Sequence, residues 1–161
     1  MKKDETFVHV AIRNYLKLQG WSLLAGQYPG GSDDELHVFN VFDPLLAKDE
    51  SPDHRRHSFG KLVPDLIAFK DDTLLIIEAK PEYSASDKDK LEYLLSERKN
   101  DFLIGFKKFL IERVENSNID LEKVKLVPVL AFLSDYQGIE DGFPYLKVQD
   151  LNTVFVENLT I

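Results

Sequence analysis

The sequence predicts an α/β or α+β fold in which helices cover a sheet. Three observations carry this expectation. An amphipathic helical pattern opens the chain, from about Asp4 to Gln19. Two apolar segments, Leu62 to Phe69 and Leu74 to Ile77, then flank the polar cluster Lys70-Asp71-Asp72, as in a β-hairpin. Two further helical patterns precede a strongly apolar strand from Lys123 to Leu133. Segments that switch between a period near 3.6 and a period of two belong to a sheet with helices packed on it.

The first helix has its boundaries written into it. Asp4 suits the N-cap, Glu5 lies in the first turn, and Gly20 follows as a stop. Val8, Ala11, Ile12, Tyr15 and Leu16 form its apolar stripe, and the spacing of Glu5 from Val8 and Ile12 puts that carboxylate on the same side. Trp21 to Tyr28 reads as a short strand closed by Pro29-Gly30-Gly31, and Leu36 to Phe42 as another. Asp43 to Gly60 is a long irregular segment of the kind that often carries function. After the central hairpin, a helix is expected from about Asp87 to Arg98, with Ser86 and Asp89 resembling a capping box. A second helix follows from Asp101 to Glu115. Pro128 within the Lys123–Leu133 strand predicts an edge or bulged position. Gly138 to Gly142 reads as a turn, and Tyr145 to Val148 and Val154 to Val156 as short strands. With 161 residues and no linker, one domain spanning 1–161 is expected.

Composition narrows the function classes. A formal net charge of −8 argues against a protein that coats nucleic acid through bulk charge. It leaves room for an enzyme with acidic metal ligands and a local basic surface. The absence of cysteine excludes disulfides and thiolate metal sites. No apolar run approaches the ~20 residues of a membrane span, and the N-terminus lacks an apolar signal core, so a cytoplasmic location without membrane contact is the expectation.

The central hairpin holds the chemistry. A loop symmetric about Asp71-Asp72 places Asp65 opposite Glu78, and the period of two brings Lys80 to the same face. Two carboxylates and an amine would thus meet at one spot, in strands that otherwise need no charge. Such a pair suits a hard divalent cation such as Mg²⁺, and a nearby Lys can orient water and offset transition-state charge. Ala79 would turn into the core and leave its carbonyl as a further ligand.

Pro64-Asp65, then twelve residues, then Glu78-Ala79-Lys80 resembles the motif of the PD-(D/E)XK nuclease superfamily. The surrounding order of elements, from about Glu5 to Leu133, is similar to the restriction-endonuclease-like core, a mixed central β-sheet flanked by helices. The resemblance implies an Mg²⁺-dependent endonuclease, with Mn²⁺ as a substitute. Asp65 and Glu78 would bind the metal with the Ala79 carbonyl, and Lys80 would position or activate water. Glu5 would join the metal set as the first-helix carboxylate of many members. Hydrolysis would leave a 5′-phosphate and a 3′-hydroxyl. DNA is the implied partner, with a homodimer where both strands are cut, or a larger restriction or DNA-processing complex.

Each assignment has a plainer alternative. Asp65, Glu78 and Lys80 form either a catalytic set or a structural charge cluster, although burial without partners would make the latter costly. Glu5 also suits a first helical turn through the helix dipole alone. Arg55, Arg56 and Lys61, with His54 and His57, either contact phosphate or belong to a solvated loop. No further ligand clusters with the two histidines, which argues against zinc. Lys88 and Lys90 either touch phosphate or lie on a solvated helix face, with the solvated face the plainer choice. For the whole chain, the alternative to a nuclease is a nucleic-acid-binding or assembly subunit that keeps the fold without cutting.

Overall fold

The computed structural model describes residues 2–30, 35–39, 41–42, 61–114, 117–137 and 140–160. The fold is α/β, a six-stranded mixed open sheet flanked by helices. Its elements are α1 (Glu5–Leu18), β1 (Ser22–Gly26), β2 (Val41–Phe42), β3 (Lys61–Leu62), β4 (Leu66–Lys70), β5 (Thr73–Ala79), α2 (Ala85–Ser96), α3 (Lys99–Arg113), β6 (Lys125–Leu133), β7 (Tyr145–Asp150) and β8 (Thr153–Glu157). The sheet order is β1-β4-β5-β6-β7-β8, and β2 and β3 form a separate antiparallel pair. The ladders β5–β6 and β6–β7 are parallel; the others in the large sheet are antiparallel.

Helix α1 begins and ends as its sequence predicts. The Asp4 side chain accepts a hydrogen bond from the Phe7 N–H at 3.0 Å. At the other end Gly20 takes φ +89°, Trp21 N–H donates to Leu16 O at 2.9 Å, and Gly20 N–H donates to Lys17 O at 3.1 Å. That pair of bonds is a Schellman cap, and it satisfies carbonyls the helix would otherwise leave open. The apolar stripe of α1 packs on one face of the sheet, with Val8, Ile12 and Leu16 fully buried against Leu66, Leu75, Ile77 and Val129. Helices α2 and α3 cover the other face. There Leu91, Leu94, Phe102 and Phe106 enclose Ile67, Leu74, Ile76 and Leu130. Alternate residues of β5 therefore serve opposite cores, as the two-residue period requires.

The hairpin register is the predicted one. Leu66 pairs with Ile77 and Lys70 with Thr73, so the turn is a two-residue loop. Asp71 and Asp72 both have positive φ, 49° and 60°, as the favoured type I′ hairpin turn demands.

Several expectations are corrected. The apolar run from Leu62 to Phe69 is two strands, because Val63-Pro64-Asp65 intervenes between β3 and β4. Leu36 to Phe39 is not strand; His37 O accepts from Gly26 N–H, while Phe39 inserts edge-on among Phe102, Phe106 and Phe109. The N-cap of α2 is Ser84, whose Oγ accepts from Asp87 N–H at 3.2 Å, so the capping pair lies two residues before the Ser86–Asp89 pair.

Pro128 sits in a central strand, not at an edge. Leu130 N–H donates towards β7, to Pro144 O, and Pro128 shares its parity. The β6–β7 ladder begins only at Leu130 with Tyr145, so the N–H that proline lacks faces a side where β7 has not started.

Candidate metal centre

Asp65 lies just before β4, yet its backbone is tied into the sheet on both sides. Its N–H donates to Ile77 O at 3.0 Å, and its carbonyl accepts from Gln27 N–H at 3.0 Å. The side chain is fixed as well, since Oδ2 accepts from Ala79 N–H at 2.8 Å. A carboxylate held at backbone and side chain loses little freedom when it takes a ligand.

Helix α1 brings two side chains to this carboxylate. Glu5 and His9, one turn apart, project from the same face of its first half. His9 Nε2 lies 3.9 Å from Glu5 Oε1 and 3.9 Å from Asp65 Oδ2. One ligand atom from each of Glu5, His9 and Asp65 lies within 4.8 Å of the other two, and the group can hold a metal ion. Oxygen and imidazole ligands at about 2.1 Å from one ion stand roughly 3 Å apart when adjacent and about 4.2 Å apart when opposite. The two His9 spacings of 3.9 Å fall within that range. His9 is 1% exposed, and its ring packs 5.9 Å from that of Tyr28, which also stacks under the Arg13 guanidinium at 4.0 Å.

Glu78 comes from β5, beside Asp65, and is 3% exposed. Burial pushes its carboxyl well above the usual range; the Asp65 charge adds to the shift and Lys90 opposes it. Lys90, from α2, places Nζ 2.6 Å from Glu78 Oε1. Lys80 follows directly after β5, with Nζ 3.7 Å from Glu5 Oε1. Burial alone would lower the Lys80 pKa, but Glu5, Asp87, Asp65 and Glu78 outweigh it and raise it. The Glu5 carboxyl is raised by burial against the pull of Lys80, with Asp65 and Asp87 adding to the rise.

Of the residues singled out from the sequence, Glu5, Asp65, Glu78 and Lys80 come together, with the buried Ala79 giving its N–H to Asp65. Arg55, Arg56, His54 and His57 lie outside the described residues, and Lys61 opens β3. Lys88 and Lys90 are partly exposed and both are paired, Lys88 with Asp141 and Glu92 and Lys90 with Glu78. One participant, His9, was missed from the sequence, and Lys90 was named there as a possible phosphate contact rather than as a partner of Glu78. The signal for His9 was its four-residue spacing from Glu5 on the helix side facing the sheet. Lys90 had no comparable signal, because only the packing of α2 on β5 brings it to Glu78.

Comparison with protein-family models, with curated proteins and with solved structures returned no match.

Proposed function

We propose that this chain is a metal-dependent nuclease of the PD-(D/E)XK type, with a restriction-endonuclease-like fold, that hydrolyses DNA phosphodiester bonds. The observation that carries the reading is the convergence of Glu5, His9, Asp65, Glu78 and Lys80 at one end of the β4–β5 hairpin. Three separate elements supply these side chains. They include a buried carboxylate that costs stability and a pair of strands that could have ended in apolar residues.

Glu5, His9, Asp65 and Glu78 are the proposed metal ligands, with the Ala79 carbonyl nearby. Two of the three clustered ligands are carboxylates, which suit Mg²⁺, and the imidazole of His9 shifts the preference towards Mn²⁺. A divalent ion bound there supplies polarisation of the phosphoryl group and acidification of an attacking water. Lys80 is held as an ammonium by the carboxylates around it. Its proposed role is to donate hydrogen bonds to water and to a phosphate oxygen. Asp65 and Glu78 fix the line along which water approaches, because Glu78 sits on β5 and the Asp65 backbone is hydrogen-bonded to Ile77 and Gln27. One such site cuts one strand, so cleavage of a duplex through both strands requires two copies. Arg55, Arg56 and Lys61 are the proposed phosphate contacts.

A second reading, a DNA-binding or assembly subunit that does not cut, draws on the pairing of Glu78 with Lys90 and on the net charge of −8. One experiment separates the two. The purified chain is incubated with supercoiled, linear, branched and single-stranded DNA in Mg²⁺ or Mn²⁺, beside Asp65→Ala and Lys80→Ala. Cleavage that falls at least ~10²-fold in either variant is expected for a nuclease. Tight, metal-independent binding with no cleavage of any substrate would reverse the order of the two readings.

A further inference from the structure

Asp65 stands between two cation seats. On one side are Glu5 and His9, spaced for an ion. On the other is Glu78, whose Oε1 faces Lys90 Nζ at 2.6 Å. The same ammonium lies 3.5 Å from the carbonyl of Val63, the residue before Pro64. A charged oxygen and a neutral carbonyl oxygen around one positive centre are the ligand types that would surround a small cation.

We propose that Lys90 permanently fills the second cation seat of the centre, so that the site accepts one divalent ion where its carboxylates alone would accept two. This rests on reading Glu5, His9 and Asp65 as a metal centre. Several features of the fold support a permanent occupant. Lys90 lies in the second turn of α2, a helix capped at Ser84 and packed on β5 and β6 through Leu91 and Leu94. Its backbone is therefore set by the core. Its side chain is two-thirds buried, so the ammonium does not exchange freely with water. Glu78 is almost fully buried and, among the described residues, Lys90 is the cation in direct contact with it. An ammonium 2.6 Å from Glu78 Oε1 forms a close ion pair that engages one of the two carboxylate oxygens. A second divalent ion at that position would have to displace a charge of the same sign.

The consequence concerns the reaction as well as the count of ions. With one metal, the positive charge on the α2 side of the centre is a fixed ammonium that cannot polarise a water as a divalent ion does. Lys90 is thus a positioning residue: it keeps Glu78 oriented and neutralised, and it assigns water activation to the ion on the α1 side.

The test is the stoichiometry and spectrum of bound Mn²⁺, by calorimetry and electron paramagnetic resonance. The wild type, Lys90→Met, Lys90→Arg and Asp65→Asn are compared. The wild type and Lys90→Arg are expected to bind one ion each with a mononuclear spectrum. Lys90→Met is expected to bind two, with the line broadening of coupled ions, and Asp65→Asn to bind none. Because Lys90 is partly exposed, the Met variant should fold; if its circular dichroism is lost, Lys90→Gln answers the same question. A wild type that binds two ions, or a folded Lys90→Met that still binds one, overturns the role of Lys90 and leaves the metal centre standing. A wild type that binds none overturns the centre and this proposal together.

Discussion

Glu78 carries its charge where water barely reaches. Its folded pKa is raised by burial above the unfolded value, so the fold favours the protonated form. The stability contributed by Glu78 is therefore fully present below the ordinary glutamate range and is lost as pH rises through its raised pKa. The metal-free protein should become more stable to urea as pH falls from above that raised pKa towards the ordinary carboxylate range. Below that, loss of other pairs, such as Asp141 with Lys88, reverses the trend, since the Asp141 pKa is lowered by its bond from Lys88. Glu78→Gln keeps the shape and removes the titratable group. It should abolish the first part of the pH dependence. An unchanged slope in Glu78→Gln would show that another group is responsible.

Two elements join the hairpin to its surroundings, and both make sharp predictions. The turn at Asp71-Asp72 uses aspartate at two left-handed positions, with the Asp72 carbonyl accepting from Lys125 N–H at 2.7 Å. Asp72→Gly removes the Cβ crowding at φ 60° while keeping that bond. After the extra freedom of the unfolded chain is subtracted, a gain of about 0.5–1 kcal/mol is expected, read as a higher Tm. A lower Tm would mean that the Asp72 side chain contributes more than its backbone strain costs. At the end of β1, Gly26 has the opposite sensitivity. A Cβ there would lie 2.9 Å from Arg13 Nη2 and 3.1 Å from both the Asp65 carbonyl and Leu36 Cδ1. Gly26→Ala should cost about 1–3 kcal/mol and also weaken metal binding, because the Asp65 backbone is one of the atoms that must move. Full retention of Mn²⁺ affinity in a destabilised Gly26→Ala protein would separate the packing effect from the site. The hairpin was legible in the sequence because its register depends only on a local turn and alternating side chains. The cap of α1 was legible for the same reason, with Asp4 and Gly20 acting within a few residues of themselves.

Across the whole molecule, less could be read in advance. The apolar runs identify strands but do not say which strands meet. The parallel placement of β6 between β5 and β7 comes from long-range packing of α2 and α3 over one sheet face. Pro128 pointed to an edge because a proline's missing donor can be matched only once the neighbouring strand's starting point is known. Likewise, the PD…EXK spacing located Asp65, Glu78 and Lys80, since all three belong to one hairpin and its continuation. His9 and Lys90 enter from helices on opposite faces of the sheet. No spacing along the chain expresses that meeting.

Lys70, at the far end of β4, donates to the Gln19 carbonyl at the end of α1, at 2.7 Å. The same helix meets Asp65 at its beginning, through His9. Helix and strand are thus fastened at both ends, and their lengths agree: His9 to Gln19 spans about 15 Å as helix, and Asp65 to Lys70 about 17 Å as strand. The two behave as a splint, with tension at one end felt at the other. Occupancy of the centre should therefore slow hydrogen exchange at the Gly20 and Trp21 amides, some 20 Å away by helix length. In Lys70→Met that distant protection should shrink while the ligands themselves are untouched. Equal protection in the two proteins would mean that the helix end is held by its glycine cap alone.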